Sequence, residues 1–273
     1  MSAIEFDKER FLSVTERVLE AERENGYIQS LEITRKGHRP TSRVTREGGT
    51  NIGGLGEGTL HLALKNYICS DKECQEVKIG RHFADVCRDG EIFEIQTRNF
   101  SSLKGKLSKF LPDYHVTIVY PVIREKRLLW TDPETGEVGG FRKSPKKESL
   151  YNIFYELVYI KPYLCDKNLS FCIFEMAADE SKLLCGWSAD GKKGAVRLNR
   201  VPTDLFGITT FDSIYDFAAL LPDEERICVK SIAKHANIKK NLASKVANVL
   251  CTAGVLEHIE TVKNEKLYRL TKG

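Results

Sequence analysis

Residues 82–97, His-Phe-Ala-Asp-Val-Cys-Arg-Asp-Gly-Glu-Ile-Phe-Glu-Ile-Gln-Thr, place two acids where a folding chain has reason to avoid them. Asp89-Gly90 suits a two-residue type I′ turn, because both central residues of that turn need positive φ. With this dipeptide at the tip, Arg88 faces Glu91, Cys87 faces Ile92 and Val86 faces Phe93. Asp85 then falls across from Glu94 on one face, and Gln96 points the same way two residues on. Like charges directly opposite repel, and the neighbouring Phe83, Cys87 and Ile92 add a desolvation cost. A divalent cation would turn that conflict into a binding site, since carboxylate oxygens suit Mg²⁺ or Mn²⁺. The alternative is a solvated outer face carrying an acid pair that binds nothing.

The flanking elements have to position this pair. Upstream, Gly53-Gly54-Leu55-Gly56-Glu57-Gly58 leads into residues 59–68, whose apolar positions predict a buried helix after a glycine-rich loop. Glu57, Leu60, His61 and Leu64 share one stripe of it, although an acid at a helix start ordinarily only offsets the dipole. Downstream, residues 101–111 predict a helix that buries Leu103, Leu107, Phe110 and Leu111, with Asn99 and Ser101 as N-cap candidates. Arg98, Lys104, Lys106 and Lys109 have no acid among them. They read either as a phosphate-binding surface or as the wet face of an amphipathic helix. Tyr114–Val122 then reads as a central strand stopped by Pro121. Hairpin, crossover helix and strand together predict a three-layer α/β core with a mixed sheet.

A helix with Glu57, a hairpin with Asp85 and Glu94-Ile95-Gln96, a basic helix and an apolar strand resemble the core of the PD-(D/E)XK, or restriction-endonuclease-like, nuclease superfamily. The resemblance covers about residues 50–122. It implies that Glu57, Asp85 and Glu94 bind Mg²⁺ (or Mn²⁺) and that a lysine two residues past the glutamate activates the attacking water. Here that position is Gln96. Some active members carry glutamine there and others move the lysine to the following helix, which makes Lys104 the substitute. The strings Gly-Leu-Gly-Glu around Glu57, Phe-Glu-Ile-Gln-Thr at 93–97, Arg-Lys-Ser-Pro-Lys-Lys at 142–147 and a Lys/Tyr-rich carboxyl-terminal hairpin are similar to an uncharacterised bacterial family. Its members pair a nuclease-like core with a winged helix.

At 273 residues the chain can hold a full core and one small domain. No apolar run is long enough to span a bilayer and no signal-peptide stretch opens the chain, which predicts a cytoplasmic protein. Eight cysteines without a Cys-x-x-Cys pair read as mostly buried, reduced thiols rather than zinc ligands. The net charge is +4, and residues 223–273, with ten Lys/Arg against six Asp/Glu, account for all of it.

Residues 3–24 predict an amphipathic helix ended by Gly26. Residues 31–46 have strand character broken by Gly37 and Pro40. Arg35, Arg39 and Arg43 there suggest a phosphate-contacting hairpin or a solvated basic loop. Asp132–Gly136 reads as a turn, Arg142–Lys147 as a nucleic-acid contact or a solvated linker, residues 148–160 as a helix, and Leu169–Met176 as a strand before a turn at Asp190-Gly191. No catalytic constellation is evident in this middle region. These parts give an α/β domain over 1–205 with a middle α+β extension. From 210 to 273 three short helices, Phe211–Leu221, Val229–Ala236 and Lys239–Ala253, and two strands, Val255–Thr261 and Lys266–Leu270, resemble a winged helix-turn-helix. Lys239, Lys240, Asn241, Ser244 and Lys245 would enter the major groove, with Lys263 and Lys266 on the wing. A winged helix used for protein association is the alternative.

The sequence therefore predicts a metal-dependent DNA nuclease with its own winged-helix DNA-binding domain and no membrane partner. A homodimer is compatible with it. The alternative function is a non-enzymatic DNA-binding or regulatory protein on a degenerate nuclease fold.

Overall fold

The computed structural model describes residues 4–24, 31–36, 39–44, 58–132, 138–187 and 193–271. Helix α1 (Lys8–Glu24) buries Phe11, Val14 and Val18 on the stripe expected of it. Strands β1 (Leu31–Lys36) and β2 (Arg39–Val44) form a two-stranded antiparallel hairpin, in which Arg35 lies across from Pro40 and Glu32 from Arg43. Helix α2 (Thr59–Ile68) then leads into a meander of β3 (Gln75–Ile79), β4 (His82–Arg88) and β5 (Glu91–Ile95). Helix α3 (Lys104–Phe110) crosses to β6 (His115–Thr131), which runs parallel to β5. The short β7 (Arg142–Lys143) pairs with the far end of β6. Helix α4 (Phe154–Leu157), flanked by 3₁₀ turns, crosses to β8 (Leu169–Trp187), parallel to β6, and β9 (Lys193–Phe211) returns antiparallel.

The result is a seven-stranded mixed sheet in the order β3-β4-β5-β6-β8-β9, with β7 off that path. Period-two alternation along the central strands buries both faces. Val116, Ile118 and Val122 of β6 with Phe171 and Ile173 of β8 share one core with Leu107 of α3 and Phe154 of α4. Val119, Cys172, Phe174 and Met176 share another with Phe11 of α1 and Leu64 of α2. The expected α/β class with a mixed sheet is what forms.

Three expectations need correcting. Pro121 does not end β6, which continues to Thr131. The Val119 carbonyl accepts from Gln96 N–H on the β5 side, so Pro121, two residues on, lacks its N–H where β5 has already stopped. The strand expected over 169–176 runs on to Trp187, because β6, β8 and β9 continue together beyond the helical layers. Finally, the helix expected over 211–221 is a 3₁₀ stretch, Ile214–Leu220, capped by Ser213 and Asp216. Phe217 from it stacks on Phe211 at 4.1 Å and meets Phe154 and Phe171 edge-on. The expected turns at 132–136 and 190–191 lie wholly or mostly outside the described residues.

After β10 (Ile227–Cys228) come α5 (Val229–His235) and α6 (Lys240–Thr252), then β11 (Leu256–Val262) and β12 (Glu265–Leu270), in a three-stranded sheet of order β10-β12-β11. Gly254, at φ +74°, terminates α6, and its freedom from a Cβ permits that left-handed step. Lys263 and Asn264, both at positive φ, make a two-residue turn between β11 and β12. Val246, Val249 and Leu250 of this unit, the 210–273 domain of the sequence reading, share an apolar core with Phe154, Ile160 and Phe217.

Two outcomes follow for stability. Phe217→Ala should cost roughly 3–5 kcal/mol, the range for emptying a buried aromatic site, read by urea denaturation. A chain ending at residue 222, which keeps β9 and Phe217, should fail to fold cooperatively, because it loses the wall of that core supplied by α5, α6 and the C-terminal sheet. A sharp, native-like unfolding transition of 1–222 would show the two regions to be independent.

Candidate functional site

The hairpin forms in the register that Asp89-Gly90 imposes, with Val86 across from Phe93, Cys87 from Ile92 and Arg88 from Glu91. Both tip residues have positive φ. Beyond Val86 and Phe93 side chains take over the pairing. Ile95 N–H donates to Asp85 Oδ2 at 2.8 Å, and Asp85 N–H donates to Glu94 Oε1 at 3.3 Å. Each acid thus satisfies a backbone donor of the opposing strand. Asp85 and Glu94 are 8% and 1% exposed, which overturns the reading of a solvated outer face.

Lys106 on α3 reaches both acids, its Nζ lying 2.7 Å from Glu94 Oε2 and 3.3 Å from Asp85 Oδ1. Helix α3 lies over His82, whose ring a Cβ at Gly105 would meet at 3.4 Å, an ordinary van der Waals contact. On the other side His61 Nε2, from α2, sits 3.3 Å from Asp85 Oδ2.

Lys104 does not reach the pair. It is exposed, and its carbonyl accepts from the Tyr163 hydroxyl at 3.2 Å. Two residues along a helix turn the side chain by about 200°, so Lys106 is the lysine that faces the sheet. Gln96 is occupied elsewhere: its amide nitrogen donates to Arg98 O, Asn99 O and Ser102 Oγ at 2.6, 3.3 and 3.1 Å, closing the loop before α3. Asn99, expected as a cap, is left-handed and makes no side-chain cap bond. Glu57 lies outside the described residues, next in sequence to Gly58 on the wall of the site. The side chains of Arg35, Arg39 and Arg43 lie outside them too.

Burial, followed by repulsion from Asp85, pushes the Glu94 carboxyl up to about 8, with Lys106 opposing. Burial also works to raise Asp85, but the His61 hydrogen bond and charge, then Lys106 and the Ile95 N–H, hold it below the ordinary carboxylate range. Burial would lower Lys106, yet the charges of Asp85 and Glu94 raise it, so it stays an ammonium. The pair shares its burden unequally. Asp85 is held down by its partners, and Glu94 is pushed up by burial and by Asp85.

Asp85, His61 and Lys106, though not the buried Glu94, line a cleft of ≈ 510 Å³ whose described walls also include Gly58 and Gln96. Arg98, Arg197, Asn199 and Arg200 close the other side. Asn199 belongs to β9 and organises the start of α2: its Oδ1 accepts from Thr59 N–H at 3.3 Å and its Nδ2 donates to Thr59 Oγ1 at 2.6 Å. Arg197 and Arg200 share Glu180, at 3.8 and 2.8 Å, with Lys126 and Lys182 at 3.6 and 3.3 Å. Burial would raise Glu180, but the Arg200 hydrogen bond and charge, then Lys126 and Lys182, bring it down to about 2. One carboxylate cannot neutralise four cations, so the arginine wall keeps a positive field facing the acids.

His61 and the 197–200 segment are the members that sequence reasoning left without a role, and Lys106 was read there as part of a phosphate-binding surface or wet helix face and not as a partner of the acids. Lys106 stood in a basic run free of acids, and His61 on the buried stripe of α2; Arg197 and Arg200 had no local signal, because the sheet alone brings β9 to this place. As donors for a hard cation the site offers Asp85 and Glu94. Among the described residues no group of three His, Cys, Asp or Glu side chains is gathered for a metal.

In the C-terminal unit Lys239, Lys240, Lys263 and Lys266 are exposed. Lys245 departs from expectation. It is half-buried, with its Nζ 5.7 Å from the centre of the Tyr155 ring, because this side of α6 packs against the α4 region. No disulfide links the described cysteines, and no helix among the described residues is long and apolar enough to cross a membrane.

With the acids, Lys106 and the arginine wall all falling between Gly58 and Arg200, comparison with known proteins covers the same segment. The chain belongs to the family described as Domain of unknown function (DUF8091), whose model matches residues 58–212. It is similar to an uncharacterized protein of Treponema pallidum (strain Nichols), 34% identical over 145 residues. That match covers 53% of this chain and 55% of the relative, so it spans about half of each. No solved structure matches the chain.

The raised Glu94 carboxyl has a consequence for stability. The folded protein keeps a proton that the unfolded chain releases in the ordinary carboxylate range, so this contribution is full below that range and is lost as pH climbs toward about 8. In EDTA the melting temperature should therefore fall between about pH 5 and about pH 8.5. Glu94→Gln, which cannot ionise, should flatten that fall. Parallel melting curves for the two proteins would contradict the assignment.

Proposed function

We propose that the protein is a metal-dependent phosphodiester hydrolase acting on DNA, on a restriction-endonuclease-like core of the PD-(D/E)XK type, and that the C-terminal unit is a winged helix-turn-helix. The observation that carries the reading is Lys106 Nζ within 3.3 Å of both acids in a cleft walled by arginines. Separately, acids and cations are commonplace on a protein. Together they supply what a phosphodiester needs, namely carboxylates for a hard cation and donors for phosphate oxygens.

The donor chemistry of Asp85 and Glu94 suits Mg²⁺ or Mn²⁺, and Glu57 is the third ligand in this reading. When bound, the ion supplies Lewis-acid polarisation of the phosphate and a water of lowered pKa. The rest falls to the chain's own groups. Lys106, held as an ammonium, is a donor rather than a base, and its place on α3 gives it the part of the lysine that Gln96 replaces. Gln96 holds the loop that delivers α3. His61 keeps Asp85 ionised and oriented. Arg98, Arg197 and Arg200 hold the phosphate oxygens of the substrate. In the C-terminal unit, Lys239 and Lys240 at the start of α6 and Lys263 and Lys266 at the β11–β12 turn are the duplex-contacting cations, without Lys245.

A second reading has its own support. Lys106 and two backbone N–H groups already satisfy the acids without an ion, as a non-enzymatic DNA-binding scaffold would require. Cleavage assays with Mg²⁺ or Mn²⁺ on single-stranded, duplex and branched DNA and on RNA separate the two. Asp85→Ala should abolish activity, Lys106→Ala should lower it about 100-fold, the scale of a lost transition-state donor, and Lys104→Ala should leave it unchanged. A wild type inert on every substrate that still binds DNA would make the scaffold the better account.

A further inference from the structure

The cleft beside the acids continues across the molecule. Arg98, Arg197 and Arg200 also line a passage of ≈ 310 Å³, together with Tyr120, Asn152, Tyr155 and two acids, Glu148 and Glu156. Asn152, Tyr155 and Glu148 in turn line a wider chamber of ≈ 1050 Å³ that ends against Lys239 and Leu242 of the C-terminal unit. Each space shares lining residues with the next, so that together they form a groove of successive clefts from Asp85 to the start of α6.

We infer that this groove is the path of a single-stranded polynucleotide, DNA or RNA. The inference deepens the proposed function by naming the form of substrate, and rests on that reading for the reacting end of the path but not for binding. Charge is the first support. Lys146 and Lys147 after β7 and Lys239 line the wide chamber with Arg124 and Lys126 of β6, which pair with Glu175 and Glu180 at 3.6 Å each, and with two acids, Glu125 and Glu148. Glu148 is turned inward, while Glu125 is an exposed acid in a surface ion pair. Glu148 accepts the Ile123 N–H at 3.0 Å, and Glu125 pairs with Lys143 at 3.4 Å. Lys146, Lys147 and Lys239 are exposed and have no carboxylate partner among the described residues. A polyanion would supply one.

Aromatic surface is the second support. Tyr155 lies half-buried where the passage meets the chamber, and Phe206 on the chamber wall is 39% exposed with the Arg124 guanidinium 5.6 Å from its ring centre. Cations that follow a backbone, interleaved with rings and guanidinium planes that take bases, are the combination that binds unpaired strands without sequence preference. A duplex keeps its base faces stacked inside and has no use for rings within a groove. The Arg142–Lys147 segment, open between linker and nucleic-acid contact from sequence, thereby contributes two of the groove's cations.

The test is fluorescence anisotropy with the full chain in EDTA, using labelled oligothymidylate, oligouridylate and a blunt duplex of equal length. The single strands should bind at least tenfold more tightly than the duplex, with affinity falling as salt rises. The two oligonucleotides then distinguish DNA from RNA. Lys146→Glu with Lys147→Glu should weaken binding at least tenfold and flatten the salt slope, Phe206→Ala should weaken it about fivefold, and Lys147→Arg should bind as wild type. Melting temperatures confirm that each variant is folded, and the exposed lysines are chosen so that they are. Equal or tighter duplex binding, no single-strand binding at low salt, or indifference to the Lys146 and Lys147 reversals would each overturn the inference. Sensitivity to the lysines but not to Phe206 would assign the groove to an acidic polypeptide and overturn it as well. Because EDTA removes the need for hydrolysis, a protein that binds single strands yet never cleaves them sinks the nuclease reading alone. A protein that cleaves while ignoring the groove variants sinks the groove alone.

Discussion

The ammonium of Lys106 between Asp85 and Glu94 is the interaction on which the arrangement of the core depends. Two nearly buried carboxylates at the end of a hairpin are costly, and leaving either unpaired would cost several kcal/mol, on the order of 3–5. The lysine and the two backbone N–H groups at the splayed strand ends together meet that cost. The requirement propagates outward. Helix α3 has to lie close over β4, and the loop before it has to be short and closed, which Gln96 favours through its hydrogen bonds to Arg98, Asn99 and Ser102. The acid pair therefore has a structural reason to persist.

A second electrostatic centre answers the first across the cleft. Glu180 is outnumbered by Lys126, Lys182, Arg197 and Arg200, leaving a surplus of positive charge on the wall that faces Asp85. An acid-rich floor and a cation-rich wall suit a bound phosphodiester together with its metal. The same surplus extends through Lys126 toward the chamber beside α6, so the proposed reaction and the proposed strand path draw on one continuous field.

The C-terminal unit takes part in this geometry instead of hanging beside it. Its apolar residues complete the core around Phe154 and Phe217, and Lys161 Nζ donates to Asn248 Oδ1 of α6 at 2.5 Å. A helix held in that way is wetted on one side only. Lys240, Asn241 and Ser244 remain outside, Lys245 is folded against Tyr155, and Lys239 borders the groove. If the unit reads duplex DNA, it does so from that remaining side, with the core fixing its orientation.

Local pattern was enough for what local physics governs. Asp89-Gly90 determined the turn, the register and the facing acids; alternating and helical periodicities gave α1, α2, the central strands and the α/β class; Gly254 marked the end of α6. What depends on which element lies over which was not legible. Whether Lys104 or Lys106 faces the sheet depends on where α3 begins, and that start is set by the Gln96 loop and not by the lysines. The continuation of β6 past Pro121 depends on where its neighbour β5 stops. Arg197, Asn199 and Arg200 reach the site only because β9 returns antiparallel beside β8, which no spacing near residue 85 encodes. A side chain's neighbours in sequence limit its conformation, but its charge state and partners come from residues brought close by the sheet, and those only the tertiary structure decided.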